Sequence, residues 1–94
     1  MSESDREALE KYLKLIFNFV QGNITADEFE ASYLSFFKYE THKFGDEDFE
    51  VLDRLFGDVD AYCPDPQLRD QDDLDEKALL ESAKRALAEL DRQM

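Results

Sequence analysis

Few side chains in this 94-residue chain have both the type and the setting to do chemistry. The single histidine, His42, stands in the short polar connection Thr41-His42-Lys43-Phe44-Gly45 with no Ser or Cys partner beside it in sequence, and reads as an ordinary surface histidine. The single cysteine, Cys63, ends an apolar helical stripe. A reactive thiolate needs a neighbouring base or a helix N-terminus. Cys63 has acids and a helix C-terminus instead, so it reads as a small hydrophobe. A phosphate-cradling Gly-rich loop is missing, and a strongly anionic surface would repel phosphate in any case. Residues 65–76 have the length of a calcium-binding EF-hand loop and end in Glu76. Their sixth position is Asp70 where glycine is required, however, and their fifth is Arg69 where an oxygen ligand belongs. Loose binding of hard cations by Asp70, Asp72, Asp73 and Asp75 would be weak. The expectation is therefore a protein that is not an enzyme, with no catalytic residue, no metal ligand and no cofactor.

What remains is the carboxylates themselves. Twenty-four acids against eleven bases give a net charge of −13, and such an excess repels itself and weakens the fold. Residues 46–76 hold thirteen of the acids and only two bases, Arg54 and Arg69. That third of the chain therefore carries nearly all the excess. Scattered charge would be a solvated face and nothing more. Here Asp46, Glu50, Asp53 and Asp60 fall on one side of a helix, largely without lysines at i+4 to offset their repulsion. The charges continue into a proline-stiffened loop carrying Tyr62, Asp65, Asp70, Asp72 and Asp73. A pre-ordered loop loses less entropy on binding, and rings such as Tyr62 often anchor interfaces. Asp53, Asp58, Asp60, Tyr62, Asp65, Asp70, Asp72 and Asp73 are the expected partner-binding residues. Their partner should be basic, such as a nucleic-acid-binding protein whose phosphate-recognising groove an array of carboxylates can fill.

The elements that must position these residues follow from periodicity. Leu9, Tyr12, Leu13, Ile16, Phe17 and Val20 recur at helical spacing and predict a helix over about residues 5–20. Gly22 supplies its stop. Thr25-Ala26-Asp27-Glu28 reads as a capping box that opens a second helix over 25–40, with Phe29, Tyr33, Phe36 and Phe37 inward. Asp46 can cap a third helix over 46–62, with Phe49, Leu52, Leu55, Phe56, Val59 and Tyr62 inward. Within it Gly57 marks close packing or a local bend. Pro64 and Pro66 exclude helix in the next segment. A fourth helix over 74–92 carries Leu79, Leu80, Ala83, Leu87 and Leu90. The prediction is an all-α, single-domain antiparallel four-helix bundle over residues 1–94. No apolar run approaches the roughly 20 residues needed to span a bilayer. With an acidic N-terminus and one cysteine, the expected compartment is the cytoplasm.

Two stretches are familiar. Asn23-Ile24-Thr25-Ala26-Asp27-Glu28-Phe29-Glu30 and Asp58-Val59-Asp60-Ala61-Tyr62-Cys63-Pro64-Asp65-Pro66-Gln67-Leu68-Arg69-Asp70-Gln71-Asp72-Asp73-Leu74-Asp75-Glu76 resemble the bacterial self-protective colicin-like immunity proteins. That group includes inhibitors of colicin D and of contact-dependent inhibition toxins. The first stretch is a generic helix start; the second is more specific, a Pro-Asp element and acidic run between two helices. The resemblance covers roughly residues 9–90. It implies a four-helix bundle that binds the basic nuclease domain of a cognate toxin, typically a tRNase, and occludes its active site. Asp58, Asp60, Asp65, Asp70, Asp72 and Asp73 match the family's acidic segment, and Tyr62 lies within it. The chain departs from the colicin D inhibitor at its N-terminus and around Tyr62-Cys63-Pro64, which leaves room for a different toxin. The expected state is a monomer binding its toxin one to one, with no direct contact to nucleic acid or membrane. Charge alone also admits an acidic nucleic-acid mimic that titrates a basic DNA-binding protein.

Overall fold

The structure, a computed structural model, describes residues 3–68 and 73–93, with side chains described between residues 6 and 91 of these. Four helices follow one another: α1 (Glu3–Val20), α2 (Ala26–Lys38), α3 (Asp46–Asp60) and α4 (Glu76–Gln93). The all-α fold class and the helix count agree with the periodicity, and each boundary lies within two residues of its expected place. α1 packs on α2 and α4, α3 packs on the same two helices, and α2 touches α4 across the centre.

The α1–α2 link forms as its residues dictate. Gly22 takes φ +82. The Asn23 amide donates to the Asn18 carbonyl (2.8 Å) and the Gly22 amide to that of Phe19 (3.0 Å). This is the paired closure that satisfies the last carbonyls of a helix, and it needs a residue free to adopt positive φ. Three residues on, the Glu28 amide donates to the Thr25 hydroxyl while the Thr25 amide donates to the Glu28 carboxylate, the reciprocal box expected there. So tight a turn brings Phe19 onto Phe29, stacked at 4.5 Å, and the edge of Tyr12 onto Tyr33 and Phe36. The start of α2 therefore meets the end of α1.

Three details of the sequence reading need correction. Phe17 is half exposed, and Phe19 takes the core position instead. The stripe is Leu9, Tyr12, Ile16, Phe19 because α1 must face both α2 and α4, and Phe17 lies at its margin. Phe49 is likewise half exposed while Val51 is buried, since α3 is turned toward α4, where the small residues Ala83 and Ala86 let it approach. Asp46 does not cap α3. Gly45 holds that position in extended conformation with no side-chain bond, and Asp46 is the first helical residue. There its charge acts through the helix dipole alone.

The α2–α3 connection is fastened by Glu40. Its carboxylate accepts from the Tyr12 hydroxyl (2.8 Å) and the His42 amide (3.1 Å), and pairs with Lys11 (3.0 Å). Burial pushes the carboxyl up, but the bonds from Lys11, His42 and Tyr12 outweigh it and hold Glu40 below its usual value. A depressed carboxylate contributes stability above its unfolded value and loses it as pH falls. The stability gap between wild type and Glu40→Gln should therefore be widest at neutral pH and should close as pH drops below 4.5. Urea titrations of both proteins across that range check this.

Candidate partner-binding site

The carboxylates of residues 46–76 divide by what the fold already asks of them. Asp48 is buried in α3. The Asp75 carboxylate accepts the Ala78 amide (2.8 Å) and so serves the start of α4. The Asp65 carboxylate accepts the Gln67 amide (2.9 Å) and its carbonyl accepts the Leu68 amide (3.1 Å), closing a turn around Pro66. Asp58 is half-buried and lines a shallow crevice between α3 and α4 with Arg54, Ser82, Arg85 and Glu89. Asp73 is half-buried beside the returning chain. Asp70 and Asp72 lie outside the described residues.

Asp46, Glu50, Asp53 and Asp60 are all exposed. At helical spacing Asp46, Asp53 and Asp60 recur every seven residues and make one stripe, with Glu50 beside it. Arg54 is the one base on this helix, and its guanidinium is turned to Glu89 of α4 (3.1 and 3.4 Å). Its charge is thus engaged at the α3–α4 seam, and the outer stripe keeps its anionic character. Asp60 also bears on α2: Glu30 has its carboxyl pushed up by burial first, then by Asp27 and Asp60. Like charges at this seam work against the fold.

Tyr62 departs from its expected role. Its ring belongs to the core, 8% exposed, and its hydroxyl donates to the Asp27 carboxylate (2.9 Å). Burial, that bond and nearby Asp27, Glu76 and Glu30 charges push its hydroxyl up to about 12. It therefore ties the loop to the start of α2 and does not offer its ring as an anchor. Next to it, Cys63 donates its amide to the Leu74 carbonyl and Leu74 donates to that of Ala61, both at 2.9 Å. This parallel bridge between Tyr62 and Leu74 joins the two ends of the acidic loop.

Two residues of the outer α3 face differ from their expected roles. One is Phe49, 48% exposed, its inner side resting on Phe37 at 6.2 Å, which in turn stacks on Phe56 at 4.7 Å. The other is Gly57. A Cβ built there meets nothing within 4 Å, and α3 runs through it unbroken. Close packing among the described residues does not explain it, although a glycine within a helix costs about 1 kcal/mol against alanine. Among the described residues, no group of three or more His, Cys, Asp or Glu side chains converges to hold a metal ion. No helix among them is long and apolar enough to cross a membrane.

Residues 8–90 match the family described as bacterial self-protective colicin-like immunity. The chain belongs to that family. No curated protein and no solved structure matches it. The match spans all four helices of this immunity protein, so the exposed acidic face of α3 and the loop after it lie inside the family region. Membership implies a toxin as the partner, and the arrangement suits binding, with exposed carboxylates set in a row along one helix.

Proposed function

We propose that this immunity protein neutralises a cognate bacterial toxin whose toxic domain is a nuclease. It does so by setting the outer face of α3 and the acidic loop against the basic cleft that would receive the nucleic acid. The observation that carries the reading is the run of exposed carboxylates on α3 within a family that protects against colicin-like toxins. A nuclease cleft is lined with cations to hold phosphates, and carboxylates on a stiff helix offer it a competing array. Opposite fields speed encounter and weaken with salt, while a few desolvated contacts set the lifetime of the complex. Binding is one to one, in the cytoplasm, by occlusion and without turnover. Within the site, Asp53 and Asp60 act from α3, and Asp65, Asp70, Asp72 and Asp73 from the loop.

The test uses the toxic C-terminal domain of the toxin encoded beside this chain's gene. Expressed alone, that domain should arrest growth and degrade RNA or DNA. Co-expressed with this protein it should do neither, and purified nuclease activity should fall to background at one equivalent of inhibitor. Full nuclease activity at tenfold excess would sink the reading.

A further inference from the structure

We infer that the centre of the toxin-binding surface is the stretch of the outer α3 face from the half-exposed Phe49 ring to the notch at Gly57, about 12 Å further along the helix, and that it receives an arginine-bearing segment of the toxin domain. The inference rests on the immunity reading above and locates the contact within it. Gly57 is two residues from both Leu55 and Val59, which are buried, so it stands roughly 160° around the helix from each, on the side away from the core. Its neighbours one helical turn before and after are Asp53 and Arg54, and Asp60 and Ala61; the Arg54 guanidinium is drawn off to Glu89, which leaves the two carboxylates facing outward. A residue without a side chain thus sits between two carboxylates, at a point where a Cβ would meet only open space. None of the described residues uses the room this leaves. A partner backbone approaching α3 does, because it can come closer to the helix there than anywhere else along the stripe.

The chemistry around the notch selects the occupant. Phe49 lies eight residues before Gly57 on the α2 side, with about half its surface in solvent and its ring propped by Phe37. An exposed ring with Asp46 three residues before it and Asp53 four after matches a planar cation, which stacks on the ring and offers several N–H donors to carboxylates. A guanidinium satisfies both requirements at once; an ammonium satisfies the charge alone. An apolar partner would leave the carboxylates desolvated and unpaired.

The decisive variants are Gly57→Ala and Gly57→Gln, because their effects on fold and binding should have opposite signs. Each replaces glycine by a good helix former in open space, so each should raise Tm by roughly 4 °C. Calorimetric titration with the toxic domain should show Gly57→Gln bound at least about tenfold more weakly than wild type, with Gly57→Ala between them. Phe49→Ala should weaken binding by a similar factor. Gly57→Gln binding with wild-type affinity would overturn this placement while leaving the immunity reading intact. A wild-type protein that fails to bind the toxic domain at all would remove both.

Discussion

Replacing Asp53 and Asp60 together by lysine is expected to weaken toxin-domain binding about a thousandfold, or about 4 kcal/mol, without harming the fold. Both positions are exposed on the outer side of α3, and reversal places like charge against a basic cleft. The fold should gain from the same change. Asp60 is one of the charges that push the Glu30 carboxyl up, so a lysine there would replace repulsion by attraction across the α2–α3 seam. A substitution that stabilises the free protein while destroying its complex cannot be acting through misfolding. Stopped-flow association in low and high salt separates the contributions: the wild-type rate should fall steeply with salt and that of the double variant should not. An unchanged dissociation constant would show that the toxin docks elsewhere.

Asp60 and Gly57 share a property that says why the site was only partly legible in the sequence. Helix spans were readable because the apolar spacing, the glycine stop and the Thr25–Glu28 box all favour the same local structure, and the chain has no competing preference. The acidic stripe was readable for the same reason, since i, i+7, i+14 spacing places Asp46, Asp53 and Asp60 together in any α-helix. Rotation of each helix about its axis was not. It is set by which two neighbours a helix must face, and that is why Phe17 and Phe49 came out and Phe19 and Val51 went in. Tyr62 looked like a surface ring because it sits among acids, yet one of the acids it meets, Asp27, lies thirty-five residues away. Burial of Asp48 likewise depends on partners that spacing does not name, whereas capping by Asp75 is local, three residues from Ala78. The signal that was present and misread is Gly57. A helical glycine with no packing to serve among the described residues is a local cost, and such costs concentrate where a protein meets its partner.

The largest effect on stability is expected at Tyr33. Its side chain is fully buried, and its ring packs against Tyr12 at 5.6 Å, Phe29 at 5.7 Å and Phe37 at 6.2 Å. Its hydroxyl donates to the Leu52 carbonyl of α3 at 2.7 Å. The residue thus joins three helices, and Tyr33→Ala removes a ring whose space these neighbours cannot fill. Truncation of a buried aromatic costs about 4 kcal/mol, a large part of the roughly 5–15 kcal/mol that holds a small domain together. Tyr33→Phe keeps the ring and removes only the hydrogen bond, for about 1 kcal/mol. Urea denaturation should therefore rank wild type, Phe and Ala in that order, with most of the loss at the second step. Equal losses for both variants would mean that the hydroxyl bond to Leu52, and not the packing, holds α2 to α3. The pair also separates fold from function. Tyr33 is fully buried and offers a partner no surface of its own, so Tyr33→Phe, which keeps the ring stacked on Phe37, should bind the toxin domain as wild type does. Any loss of protection by Tyr33→Ala should come from the unfolded fraction and be recovered at lower temperature, whereas the defect of the Asp53 and Asp60 reversal should persist at every temperature.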